Sequence, residues 1–228
     1  MKSNRPNSLH SKSFLPFCSN PATKIPEYPQ SVAAGPGSAG STTSLWSQPK
    51  ILLGFLTIFL VLGAEAGVFS FFRNFVEDPS IAGVSSRDSQ RLFTAFFAVF
   101  ALGRLAGSWI QKRVKPASSL TFNAVAALVL AGLVAVAKGP VAIGAIVLLG
   151  FFVSIFFPTL YSLAMEGLGE QTAKASGLLT MGFLGCALLP VLQGKLADAI
   201  GLQRSFWVLV LPYLFALFYA LKGHRLTK

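Results

Sequence analysis

Six apolar runs of helix length fill almost everything after Lys50, and a soluble core rarely supplies so many. They lie at roughly 51–72, 92–111, 117–137, 139–163, 175–194 and 204–221, each near the ~20 residues that cross the hydrocarbon of a bilayer. Between Ala117 and Met165 the only charged residue is Lys138, at the turn between runs three and four. With 53% hydrophobic and 12% charged residues, the composition agrees with an integral membrane protein. The expected fold class is an all-α membrane protein with six transmembrane helices.

The runs divide into two sets of three that share a signature. Run two closes with Gly103-Arg104-Leu105-Ala106-Gly107 and run five with Gly194-Lys195-Leu196-Ala197-Asp198. A motif returning at the same place in each triplet is what an inverted three-plus-three repeat leaves in sequence. Three spans is an odd number, so the second triplet lies upside down relative to the first. That arrangement is found in secondary transporters, and six spans make half of the common twelve-span kind.

A net charge of +11 raises the question of nucleic acid, but the distribution of charge answers it. Lys and Arg cluster in the N-terminal stretch, in the 111–116 turn (Lys112, Arg113, Lys115) and at the C-terminus (Lys222, Arg225, Lys228). The positive-inside rule places all three in the cytoplasm, and six spans then bring both termini to that side. The opposite loops dilute Arg73, Arg87 and Arg91 with Glu77, Asp78 and Asp88. Charge therefore orients this chain in lipid, and nucleic acid is not an expected partner. Residues 31–44 (SVAAGPGSAGSTTS) have no apolar periodicity. The expected organisation is a flexible cytoplasmic segment at 1–49, a six-helix transmembrane domain at 50–222 and a cytoplasmic tail at 223–228.

Glu65 is the first candidate for function. It is the only charge in Ile51–Phe72 and lies about 21 Å along the helix from the inner end. At that depth an ionised carboxylate costs at least ~2.5–3.5 kcal/mol, so it must face a wet cavity, find a partner or stay protonated. Two roles stay open: a proton-exchanging group on a transport path, or a protonated glutamic acid that glues neighbouring helices. Gly63 and Gly67 flank it as a GxxxG pair that lets another helix approach closely. Ser70 and Asn74 follow as hydrogen-bonding groups for the mouth of a cavity.

Arg104 lies about 10 Å from the cytoplasmic end of run two. Its axial offset from Glu65 argues against a direct pair. It either snorkels to the interface or pairs with Glu166, at the cytoplasmic end of run four, as a gate that latches one conformation. Gly103, Gly107, Gly194 and Asp198 complete the two signatures as gating or structural positions. Pro158, Pro190 and Pro212 interrupt runs four, five and six, and each removes a backbone hydrogen bond. Phe157-Pro158-Thr159 is flanked by the polar groups of Ser154 and Tyr161, so that break, with Ser154 and Thr159, is either a binding element or a plain kink for packing. Most of the 21 phenylalanines should face lipid or neighbouring helices; one or two are candidates to stack on a sugar ring, Phe97 being one of several that the sequence does not choose among.

Enzyme chemistry has little to work with. His10 and His224 lie outside the runs, so neither a serine–histidine hydrolase nor a histidine-ligated metal site has its base or ligand at depth. No Gly-rich phosphate loop is present, and Cys18 and Cys186 make no disulfide framework. No cofactor is expected.

Several stretches resemble the C-terminal half of the fucose permease branch of the major facilitator superfamily, which includes glucose/galactose transporters. They are Leu62-Gly63-Ala64-Glu65-Ala66-Gly67, Leu102–Ser108 (LGRLAGS), Phe156–Gly169 (FFPTLYSLAMEGLG) and Ala175–Ala199 (ASGLLTMGFLGCALLPVLQGKLADA). The similarity runs from about Ile51 to Leu221. It implies that the six spans are helices seven to twelve of a twelve-helix fold, and that the residues before them form the loop joining two halves. It also implies uptake of a hexose or related sugar, coupled to protons or sodium, by alternating access in a bacterial plasma membrane. Glu65 stands where relatives carry a carboxylate or an amide. Two positions depart from the pattern: Phe96-Phe97 replace a common Tyr-Trp pair, and Val153 replaces a common Asn. The family's substrate site lies between the halves, so a separate N-terminal half or a second copy of the chain is the expected partner, alongside membrane lipid. The Met1 start ahead of a linker-like tail fits a split or truncated gene. Other readings are a six-span substrate-binding subunit of a multi-component importer, and a truncated fragment without transport activity.

Overall fold

The computed structural model describes residues 49–223. Residues 1–48 of the segment expected at 1–49 and residues 224–228 of the tail expected at 223–228, with Cys18, His10 and His224, lie outside the described residues. Six helices among the described residues are long and apolar enough to cross a membrane. They are α1 (Pro49–Glu77), α2 (Ser86–Ile110), α3 (Pro116–Val136), α4 (Gly139–Met165), α5 (Thr172–Ile200) and α6 (Leu202–Leu221).

The helices overrun the apolar runs at their polar ends for local reasons. α1 continues past Phe72 through Arg73-Asn74 to Glu77, where Arg73 and Glu77 pair one turn apart at 3.1 Å. α2 starts well before the apolar run because Ser85 caps it, accepting a hydrogen bond from the Asp88 backbone N–H at 3.3 Å. α3 starts on Pro116, whose missing N–H costs nothing in a first turn.

Prolines shape the second triplet. α4 is α-helical over Gly139–Val153 and again over Phe156–Met165, with a turn at Ser154-Ile155 between them. Pro158 has no N–H to offer the carbonyl of Ser154 four residues earlier, so the break falls there. α5 tightens into a 3₁₀ stretch at Met181–Leu184 before Pro190, and α6 does so at Phe206–Leu209 before Pro212.

Packing partners are exchanged between the triplets. α1 packs on α5 as α4 packs on α2, and α1 meets α6 as α4 meets α3. The pairs α1–α4 and α3–α6 map onto themselves. A two-fold exchange of the triplets interchanges these contacts. Small residues make the tightest approach. A Cβ at Gly63 would meet the Gly185 carbonyl oxygen at 2.6 Å, and one at Gly185 would land on the Phe59 carbonyl. Around these seams Ile58, Phe72, Phe75, Phe96, Phe156, Phe206 and Tyr213 are fully buried. α2 and α5 bury the smallest share of their surface, leaving Leu105, Trp109, Leu188 and Val191 more than half exposed.

Candidate functional site

The seam of α1, α2 and α4 holds the most consequential polar group. Glu65 is 6% exposed, and Oε1 of its carboxyl faces Nη2 of Arg104 at 3.8 Å. At that distance the contact is an ion pair without a hydrogen bond. Oε2 of Glu65 is buried without a hydrogen-bond partner among the described residues. Arg104 is fixed by two further contacts. Its Nε donates to the Ser154 carbonyl at 3.1 Å, and its guanidinium lies 5.0 Å from the centre of the Phe100 ring. The Ser154 carbonyl is the one that Pro158 leaves without an N–H, so the proline break in α4 supplies the acceptor that aims Arg104 at Glu65.

This corrects the expectation that Arg104 lies too far along the axis to reach Glu65 and is better placed for Glu166. α4 serves as a ruler. Gln111, just past α2, donates to Thr159, whereas Lys50, at the start of α1, donates to the carbonyl of Glu166. Thr159 and Glu166 are seven residues apart, so α2 ends about 10 Å deeper in the bundle than α1 begins. Arg104 lies about 10 Å deeper again, which brings it nearly level with Glu65, about 22 Å above Lys50. Depth counted from the edges of apolar runs assumes ends in one plane, and these ends are not. Glu166 is exposed, and its side chain forms no ion pair among the described residues.

The other candidates divide into three groups. Ser154 is buried at the seam, with its hydroxyl on the Phe151 carbonyl at 2.7 Å, and Gly103 packs directly against the same Phe151–Ser154 turn. Thr159 is buried next along α4, donating to the Ile155 carbonyl at 2.7 Å, while Gly107 accommodates the Ile155 side chain. Phe97 is 42% exposed at the edge of an aromatic cluster, 5.3 Å from Phe69 and 4.8 Å from Phe93 between ring centres. Ser70 and Asn74 are exposed and not joined to the seam: five and nine residues beyond Glu65, the helix has turned by about 140° and 180°. Gly194 faces Phe71, and Asp198 is exposed near the end of α5 away from the seam.

Residues that the sequence reading did not single out also belong to this interior. Gln193 is 1% exposed, packed against Gly67, and its Nε2 has no hydrogen-bond partner among the described residues. Tyr213 is fully buried, its ring 5.8 Å from that of Phe156, and its hydroxyl likewise has no partner among the described residues. Cys186 donates to the Leu62 carbonyl at 3.4 Å. Their signals were faint. Gln193 directly precedes the second signature, and Tyr213 directly follows Pro212. Buried polar atoms without partners are expensive, and such groups mark places that water or a polar ligand enters.

No family model matches the chain. It is similar to a glucose/galactose transporter of Brucella abortus, 37% identical over 182 residues, covering 80% of this chain and 44% of that protein. A putative glucose/galactose transporter of Helicobacter pylori is 35% identical over 187 residues, covering 80% and 46%. The L-fucose-proton symporter of Escherichia coli is 29% identical over 146 residues, covering 64% and 33%. Among solved structures, the major facilitator superfamily transporter FucP in its outward conformation matches with a TM-score of 0.74 and 26% identity, covering 81% of this chain and 45% of that one. The chain spans less than half the length of each of these relatives.

Proposed function

We propose that this chain, which over its six helices belongs to the glucose/galactose-transporter and fucose-permease branch of the major facilitator superfamily, works as the C-terminal half of a cation-coupled sugar permease. The observation that carries the reading is the Arg104–Glu65 pair. Half of the Arg104 side chain is exposed, at mid-depth of a bundle built to sit in lipid. Hydrocarbon does not tolerate a guanidinium there, so this face borders protein or a water-filled cavity. Six helices leave it open; a second six-helix half closes it. The matched share of the relatives supports the same conclusion.

In this reading Glu65 lies on the substrate or coupling path. Ionised, it holds Arg104 against the α4 break. Taking up a proton removes the charge that holds the arginine, and the seam loosens. Gly103 and Gly107 let α2 slide along the Ser154-Ile155 turn as the face closes or opens, which gives alternating access a hinge at α2 and α4. A hexose is the substrate that the relatives' names favour, with a proton as coupling ion. The expected setting is a bacterial plasma membrane with both termini inside, and the partner is a separate N-terminal half or a second copy of the chain.

The test is uptake by cells producing this chain with a six-span N-terminal half from a close relative. Labelled glucose, galactose and fucose should accumulate only when both chains are present, and collapse of the proton gradient should abolish accumulation. A stable pair of chains that moves none of these sugars overturns the reading. An ATPase subunit that co-purifies instead points to a binding subunit of a multi-component importer.

A further inference from the structure

A second feature lies on the flank of the bundle, apart from the Glu65 seam. A crevice of about 290 Å³ opens between α2, α3 and the break in α4, near the 111–115 turn. Ile110, Val114, Phe122 and Ile155 line it, and Gly103 and Gly107 bring α2 close against α4 at its inner end. Phe122 is 67% exposed, and Val125 and Val129 extend the same open strip one and two turns up α3. The strip therefore faces the hydrocarbon. A shallower recess, lined by Ala117, Thr121, Ala220 and Leu221, adjoins the crevice across Ser118 and Phe122.

The turn beside this crevice is strongly basic. Lys112, Arg113 and Lys115 are all exposed in the turn that Val114 shares with the crevice wall. The Arg113 guanidinium lies 5.0 Å from the Trp109 ring, a Trp–Arg pair suited to the boundary between hydrocarbon and water. The exposed Ser118 hydroxyl sits on the rim, and no acidic side chain lines the crevice or stands in the turn. An apolar slot with three cations in the adjoining turn is complementary to one class of molecule.

We propose that this crevice is a binding site for an anionic phospholipid, with an acyl chain along Ala106, Ile110 and Phe122 and the phosphate on Lys112, Arg113 and Lys115. A soluble partner fits less well, because occupying the slot would carry it into hydrocarbon. Juxtamembrane cations attract anionic headgroups, and the slot converts that diffuse attraction into residence at one place. A lipid held there also bears on the turn of α4 that aims Arg104. The proposal needs only that the six helices sit in a bilayer, so it stands or falls apart from sugar transport.

The test is lipid retention by the purified full-length chain, read by native mass spectrometry after titration with phosphatidylglycerol or phosphatidylcholine of the same acyl chains. One phosphatidylglycerol per chain should survive delipidation, with a preference over phosphatidylcholine of roughly tenfold to a hundredfold at low salt. The triple variant K112Q/R113Q/K115Q should lose the preference, while K112R/K115R should keep it. Ser118→Phe, which blocks the rim, should lower retention of both lipids. A monodisperse size-exclusion peak establishes that each variant is folded. Inorganic phosphate in excess should not displace the lipid, because the acyl chain holds it. Equal retention of the two lipids, a preference that survives the triple variant, or retention that survives Ser118→Phe overturns the assignment.

Discussion

Replacing Gly185 with Leu should abolish the folded bundle. The backbone at Gly185 is ordinary right-handed helix (φ −56°, ψ −36°), so the cause is contact and not conformation. A Cβ there would fall on the Phe59 carbonyl oxygen and reach the Gly63 backbone nitrogen at 3.3 Å. Both obstacles are backbone of α1, which cannot rotate aside as a side chain would. Ordinary overpacking costs about 1–3 kcal/mol, and here α1 and α5 must separate along their whole seam, so the loss should exceed that range. Gly144 in α4 supplies the control, because a Cβ there would meet nothing within 4 Å. Gly144→Ala should be neutral or stabilising by at most about 1 kcal/mol, since a helix interior favours Ala over Gly. Thermal melting of both variants in detergent checks the pair. Similar melting of Gly185→Leu and the parent would mean that α1 and α5 do not meet as described.

The second large effect concerns Arg104 and Glu65. Arg104→Leu removes the partner of a carboxyl that is 8% exposed in its side chain. Breaking a fully buried pair by deleting one member costs about 3–5 kcal/mol, and the half-exposed guanidinium brings the expectation here to about 2–3 kcal/mol. Replacing both residues with Leu should recover most of that loss, because no unpaired charge is left behind. The double-mutant cycle therefore yields a coupling energy well above the few tenths expected of unrelated sites. Transport should respond differently from stability. In the paired assembly, Glu65→Gln keeps the shape of the side chain but cannot exchange a proton. It should still exchange sugar across the membrane at equal concentrations while losing accumulation driven by a proton gradient. Accumulation with an unchanged response to pH in Glu65→Gln would remove Glu65 from the coupling path.

Much of this arrangement was legible in the residues, and the limits have physical causes. Helix-length apolar runs and the two signatures marked all six spans, because lipid demands uninterrupted helices that satisfy their own backbone. The ends were less legible. Glu77 and Ser86 lie in polar sequence, where helix continues through local pairs and caps that no hydropathy pattern records. Glu65 stood out as a lone charge in a 22-residue apolar run. Its partner did not, because α1 and α2 end at different depths and the sequence carries no common reference plane. Ser70 and Asn74 were chosen for their chemistry and proximity along the chain, and helical rotation carries both away from the seam. Gln193 and Tyr213 passed as ordinary polar residues within apolar stretches, since nothing in the sequence reveals which face of α5 or α6 turns inward. The role of Pro158 was legible only in part. A break in α4 was expected, but its effect of freeing the Ser154 carbonyl for Arg104 depends on a helix fifty residues away.

The central claim is that the face of α2 bearing Arg104 borders water or protein and not lipid. Ala101 and Ser108 flank Arg104 about one turn to either side on the same exposed stripe, so a nitroxide at either reports on that face without disturbing the pair. Val129, on the open strip of α3, serves as the lipid-facing reference. The measurement is electron paramagnetic resonance accessibility in proteoliposomes of the paired assembly, in a background lacking Cys18 and Cys186. Labels at 101 and 108 should collide with a water-soluble nickel chelate in preference to oxygen where the face is wet, or with neither where protein covers it, and the label at 129 should prefer oxygen. Oxygen-dominated collisions at all three positions would place Arg104 against acyl chains and contradict the account.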